Sequence, residues 1–219
     1  MMGMLEQLFE TNPYDGFPAD LLELDHAGFN LAAIALDLVH EVRPTRIIEV
    51  GTWKGNSAFF MTDRLLAMDI QFEMICVDTW LGLKEMWMPE IVKVIPECRG
   101  LKPRYGYPTV YYQFLANVIK KGLQDKIVPF PTTSAIAYEI LAGLNYTAQF
   151  IFIDGSHIKA DVAQDVNNYW ELVEPGGILC GDDYSSTPAV IAAVDELVKR
   201  TGCPLGFTNA DCSWWIRKP

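Results

Sequence analysis

The chain has 219 residues, half of them hydrophobic, which is enough for one sizeable core and short for two. A formal charge of −11, with basic residues clustered only as pairs such as Lys120-Lys121 and Lys199-Arg200, argues against a nucleic-acid backbone as main partner. No run reaches the roughly 18 apolar residues of a membrane span, and the acidic start lacks the basic opening of a signal peptide, so a cytoplasmic protein without membrane contact is expected.

Residues 1–25 carry Asn12-Pro13 and Phe17-Pro18 turns and read as an irregular helical preface, a surface on which a neighbouring subunit of a homo-oligomer could pack. An amphipathic helix is expected over 26–42, with Phe29, Ala33, Leu36 and His40 on one face and Pro44 closing it. Together these make an N-terminal helical extension, 1–44, ahead of a main domain, 45–219. From there strands and helices alternate: strands at 46–50, 72–77, 126–130, 149–153 and 177–181, helices at 56–68, 109–121, 133–142, 159–172 and 188–201, and two closing strands near 205–208 and 212–217. Near-continuous apolar strands in this rhythm predict an α/β, doubly wound, mostly parallel sheet covered on both faces. Cys76 and Cys180 lie inside those strands and read as small core residues, not metal ligands. The stretch 79–108 breaks the rhythm. It is rich in Trp, Met, Pro and Tyr, including Trp80, Trp87, Tyr105 and Tyr107, and reads as a cap over the active-site edge, with a packing-only insertion as the alternative.

The chemistry concentrates at strand ends. Ile47-Ile-Glu-Val-Gly51-Thr-Trp-Lys-Gly55-Asn-Ser is a buried strand turning sharply into a helix. Gly51 is expected to remove a Cβ that would collide with a ligand, and Gly55 to allow the turn and tight helix packing. The second strand ends at Asp78, 27 residues past Gly51, where a carboxylate can accept both hydroxyls of a ribose or start a turn. Ser134, after the third strand, falls where an adenine edge would be read or serves as a helix cap.

Two further strand ends deliver acids: Phe150-Ile-Phe-Ile-Asp154-Gly-Ser-His157 and Gly176-Gly-Ile-Leu-Cys-Gly181-Asp182-Asp183-Tyr184. Neighbouring strands lie about 4.8 Å apart, so these acids can converge on one point. Crowded carboxylates call for a hard divalent cation, with magnesium the best fit, or else Asp182 and Asp183 cap a helix. His157 could act as a general base or hold its turn by hydrogen bonding.

These residues resemble class I S-adenosylmethionine-dependent methyltransferases over about 45–217. The resemblance rests on Glu49-Val-Gly51-Thr-Trp-Lys-Gly55, Asp78, Ile153-Asp154-Gly-Ser-His157 and Pro175-Gly-Gly-Ile-Leu-Cys-Gly-Asp182-Asp183-Tyr. Within the class, the Asp-Gly-Ser-His and Gly-Asp-Asp-Tyr elements are similar to the metal-dependent O-methyltransferases that act on natural-product sugars. The resemblance implies a Rossmann-like seven-stranded sheet ending in an antiparallel hairpin, with S-adenosylmethionine and Mg2+ as cofactors and a small-molecule hydroxyl as acceptor. It places cofactor binding at Glu49, Gly51, Thr52, Trp53, Gly55, Asp78, Thr79, Trp80, Ser134 and Asp154, and magnesium at Asp154, Asp182 and Asp183. Asp154 and His157 are the candidates for the base. The glycine turn departs from the fuller three-glycine form, and the long insertion after Asp78 leaves the acceptor open.

Overall fold

A computed structural model describes residues 3–25, 33–88, 101–210 and 212–219. After a short helix α1 (Met4–Leu8), helix α2 (Ala33–Val42) leads into β1 (Arg46–Val50), α3 (Asn56–Ala67) and β2 (Glu73–Asp78). Then follow α4 (Val110–Lys120), β3 (Ile127–Pro131), α5 (Ser134–Gly143), β4 (Ala148–Ile153), α6 (Lys159–Leu172), β5 (Val173–Gly181) and α7 (Pro188–Thr201), and the chain closes with β6 (Leu205–Phe207) and β7 (Trp214–Arg217). The first part of the helix expected over 26–42, with Phe29 and His26, and positions 89–100 of the expected cap lie outside the described residues.

The seven strands run in the order β3-β2-β1-β4-β5-β7-β6. β1 pairs in parallel with β2 and β4, β2 with β3, and β4 with β5, while β7 is antiparallel to both β5 and β6. The expected doubly wound sheet with a reversed C-terminal hairpin is therefore the observed one. Strand order reverses between β1 and β4, and the crevice outside their carboxyl ends is where such sheets bind ligands.

Side-chain alternation sorts the core into two layers. Ile48, Val50, Ile75, Val77, Ile151 and Ile153 pack with Val162 and Val166 of α6 and Val190 and Val194 of α7. Ile47, Met74, Cys76, Phe150, Phe152 and Cys180 pack with Ala58 and Phe59 of α3 and Phe114 of α4. Pro129 and Pro131 are tolerated in β3 because it is an edge strand, where a missing N–H breaks no ladder.

β5 begins earlier than the sequence pattern suggests. Val173 pairs with Ala148, a register shift follows, and pairing resumes at Ile178 with Phe150. Pro175-Gly176-Gly177 fills that irregularity, and a Cβ at Gly177 would lie 2.8 Å from the Gln149 carbonyl oxygen. Lys218 ties the last strand to the end of α6, its ammonium donating to the carbonyls of Trp170 at 3.0 Å and Val173 at 2.8 Å. Among the described residues no helix is long and apolar enough to cross a membrane.

Candidate active site

The alternation that sends Ile47 and Cys76 to the α3/α4 layer also sends Glu49 there, and Glu49 is fully buried at the end of β1. A carboxylate with no access to water must be hydrogen-bonded. Thr52 Oγ1 donates to Oε2 at 2.6 Å and Ser57 Oγ donates to Oε1, both hydroxyls coming from the turn and helix that follow. Burial nonetheless dominates and pushes the Glu49 carboxyl up to about 7, with the Asp78 charge adding to the rise.

This carries a pH prediction. A carboxyl raised on folding holds its proton between the unfolded value near 4.5 and about 7, so its stabilising contribution is full below 4.5 and is lost as pH climbs through 7. Glu49→Gln is expected to remove that loss, by up to about 3 kcal/mol. Urea unfolding at pH 5 and pH 8 checks it: the variant should gain on the wild type at the higher pH, and an equal difference at both pH values would refute the buried charge.

The turn after β1 is shaped by neighbouring backbone. Gly51 has φ of 90°, and a Cβ there would lie 2.0 Å from the Asp154 carbonyl oxygen and 2.7 Å from the Gly155 Cα. The expectation that Gly51 makes room for a ligand is corrected on this point: the close neighbour is the chain leaving β4. Gly55, with φ of 93°, makes room for the rings of Phe59 and Phe114, at 2.8 Å and 3.1 Å from a built Cβ.

Asp78 faces the same rim. Its Oδ2 accepts from the Trp53 N–H at 2.8 Å and its Oδ1 from the Trp80 N–H at 2.7 Å. Burial raises its pKa against the pull of these backbone donors. In this structure the carboxylate grips the glycine turn, with the Thr79 and Thr52 N–H groups also bearing on it. Trp80 is 2% exposed and packs on Tyr111 and Phe114, with its indole N–H donating to the Trp53 carbonyl at 2.6 Å. It supports the turn from within the core, whereas the sequence had grouped it with the cap aromatics. Of those aromatics, Trp87, Tyr105 and Tyr107 are exposed. The Thr79 hydroxyl accepts from the Leu81 N–H at 3.2 Å and so shapes the chain leaving β2.

Ser134 is the first residue of α5, but Thr133 is the cap, its hydroxyl accepting from the Ile136 N–H. The Ser134 hydroxyl instead bonds Asp165, a buried acid of α6 raised to about 6 by desolvation.

At the ends of β4 and β5, one ligand atom each from Asp154, His157 and Asp183 lies within 4.8 Å of the others. Asp183 adopts φ of 69° and accepts the His157 Nε2–H at 2.7 Å and the Ser186 hydroxyl at 2.7 Å. The imidazole bond holds the Asp183 carboxyl below its ordinary value and raises His157. Asp182 turns back to accept the Asp183 N–H at 2.7 Å, so His157 takes the third place in this group where the sequence had put Asp182. Asp182 remains close. After desolvation, its charge and that of Asp183 do most to push Asp154 up to about 7.

Asp154, His157, Asp182 and Asp183 themselves line one side of a small cleft whose other walls are Ile153 of β4, Val162 and Val166 of α6, Val190 of α7 and Trp214. The buried indole N–H of Trp214 has no hydrogen-bond partner among the described residues.

Sequence reasoning passed over several of these groups. Ser57 carried a usable signal, a hydroxyl just inside the helix that follows the glycine turn. Asn117 carried another, an amide on the apolar face of an amphipathic helix. Trp214 carried none, since its place depends on the reversed strand.

The arrangement is therefore a glycine bend, a buried acid behind it, a second acid on the next strand and an Asp-His-Asp group across the switch point. Residues 48–184 match the family described as a methyltransferase domain, which is more than half of the chain. The chain belongs to this methyltransferase family. A stretch of 146 residues is 27% identical to the uncharacterized protein y4gI of Sinorhizobium fredii (strain NBRC 101917 / NGR234), covering 67% of the methyltransferase chain and only 14% of that relative's length.

Solved structures of similar fold include CalS11, a calicheamicin methyltransferase, with a TM-score of 0.60 at 14% identity over 84% of this chain and 77% of that one. The O-methyltransferase NovP aligns with a TM-score of 0.60 at 18% identity, over 84% and 76% of the two chains. The methyltransferase PaMTH1 of Podospora anserina, solved with S-adenosylhomocysteine (SAH), aligns with a TM-score of 0.57 at 15% identity, over 85% and 76%. At such identities the likeness is one of fold.

Proposed function

We propose that this methyltransferase takes its methyl group from S-adenosylmethionine and delivers it to a hydroxyl of a small molecule, assisted by a divalent cation such as Mg2+. The observation that carries this reading is that the Gly51 bend and Asp78 share one rim, Trp53 bridging them at 2.8 Å, with Asp154 on the adjoining strand end.

The residues fit such a donor. Glu49, Asp78 and Asp154 are all held above ordinary carboxylate values by burial, a rim that favours a cationic ligand. The half-buried Asp78 carboxylate at the end of β2 suits ribose hydroxyls, the Thr52 to Gly55 turn suits the methionine end, and Ser134 stands at the start of α5 for the adenine. Asp154, His157 and Asp183 offer two carboxylates and an imidazole to the cation, with Asp182 alongside. S-adenosylmethionine supplies an electrophilic methyl carbon on a sulfonium, and a divalent cation lowers the pKa of a coordinated hydroxyl.

The chain's own contribution is proton transfer and placement. Asp154, at the reacting edge, is placed to accept the acceptor's proton as the O–C bond forms and the C–S bond breaks; without a cation it stands at about 7, and a bound cation would draw it down from there. His157, held by Asp183, fixes the loop beside it. The small cleft beside these acids, backed by Ile153, Val162, Val166, Val190 and Trp214, limits the water that can reach the reacting oxygen.

The His157–Asp183 contact of 2.7 Å favours one second reading, a metal-free enzyme in which Asp183 orients His157 and Asp154 or His157 is the base. Calorimetry with SAH tests the cofactor, and turnover under exhaustive chelation separates the two mechanisms. Failure of the wild type to bind SAH would remove the main reading. Full activity in chelator would leave the metal-free one.

A further inference from the structure

We infer that Asn117 is a positioning residue for the cofactor turn, locking residues 23–25 and the turn 52–55 together so that the N-terminal segment is a working part of the cofactor site. This rests on the S-adenosylmethionine reading above. Asn117 lies within α4 and is fully buried, on a helix whose neighbouring residues Phe114, Leu115 and Val118 are apolar and equally hidden. An amide in such a place is costly unless its groups are all paired.

They are paired, and mostly to main chain from two distant segments. Nδ2 donates to the Asp25 carbonyl at 2.7 Å and to the Lys54 carbonyl at 3.0 Å. Oδ1 accepts from the Asp25 N–H at 3.1 Å and from Gln113 Nε2 at 2.9 Å. Two carbonyls and one N–H fix which way the amide faces.

Charges and a second amide reinforce the junction. Lys54, whose side chain is 11% exposed, pairs with Asp25 at 2.8 Å, and Lys102 approaches the same oxygen at 3.5 Å. Gln113 also reaches the Glu23 carbonyl at 2.8 Å. On the turn itself, Asp78 holds the Trp53 N–H, Trp80 holds the Trp53 carbonyl, and Asn117 holds the next carbonyl along. A turn ordered before the cofactor arrives spends less affinity on ordering. The ordering here runs through Asn117 into the N-terminal segment, so the two segments tighten and loosen together.

Hydrogen exchange and calorimetry on the full chain test this. Adding SAH to the wild type should slow amide exchange in 23–25 as well as in 51–55. Asn117→Ala should weaken SAH at least about tenfold, a loss of about 1.4 kcal/mol, and speed exchange in both segments while β1 and β4 stay protected, a pattern that a general packing defect would not give. Gln113→Ala, which removes the donor to Asn117 Oδ1 and to the Glu23 carbonyl but leaves the Asp25 and Lys54 carbonyls bonded to Asn117, should act in the same direction by a smaller factor and carries the test if Asn117→Ala does not fold. The inference is overturned if SAH protects 51–55 and leaves 23–25 unchanged, or if the folded variants bind SAH within twofold of wild type. Should the wild type bind no SAH, the cofactor reading fails on its own. Exchange in unliganded Gln113→Ala then decides the coupling, faster in both segments for it and unchanged against it.

Discussion

Gly51→Ala is expected to destabilise the protein by about 4 kcal/mol or more, at the extreme of single substitutions. Two costs add. The residue sits at φ of 90°, a region that costs a residue bearing a Cβ roughly 1–2 kcal/mol. The larger cost is collision: the new methyl would lie 2.0 Å from the Asp154 carbonyl oxygen and 2.5 Å from its carbon. Those are backbone atoms and cannot rotate aside. Relief requires the ends of β1 and β4 to part, which strains the Gly51 N–H bond to the Val77 carbonyl at 2.9 Å and the Asp154 N–H bond to the Val50 carbonyl at 2.8 Å. Gly122→Ala is the control. It shares a positive φ of 67°, but none of the described residues lies within 4 Å of its built Cβ, so only the conformational cost of about 1 kcal/mol should appear. Urea unfolding of both variants decides it. Equal losses in the two would mean that close approach of the β1 and β4 ends contributes nothing.

That glycine also marks where sequence reasoning stops. The strand 46–50 and the helix 188–201 are read to the residue, because a short apolar run or an amphipathic stretch bounded by proline is a local signal. The reversed hairpin was expected from its resemblance to a known fold. That something must lie close to Gly51 is also local knowledge. What lies close is not, because Asp154 and Gly155 come near only through the crossover that sets β4 against β1. The same limit applies to the acids. Their positions at strand ends follow from periodicity, but which of Asp182 and Asp183 faces His157 depends on the left-handed backbone at Asp183. Trp80 was grouped with the cap because the next stretch is aromatic, yet the Asp78-bonded turn folds it into the core. Asn117 needs two remote partners to make sense, and no spacing in the sequence announces them.

Asp154→Asn should separate activity from stability, with opposite signs. On the proposed mechanism it removes the proton acceptor, and one of the carboxylate charges offered to the cation, while keeping the side chain's size; loss of a positioned base alone costs roughly 10²–10⁴ in rate. Stability should move the other way. The carboxyl is raised to about 7 by desolvation and by Asp182 and Asp183, so above that pH a charge is held where its neighbours repel it. Its ordinary value is 3.8, so the folded protein holds the proton over the interval between and loses stability as pH rises through 7. The asparagine variant is free of that loss and should be the more stable protein at pH 8, with the advantage fading toward pH 4. Functional sites commonly hold such strain, at the expense of the fold that carries them. Thermal melts at the two pH values, alongside turnover, make the comparison. A variant that loses turnover and is also less stable at pH 8 would show that Asp154 holds the fold together, and the assignment of the base would pass to His157.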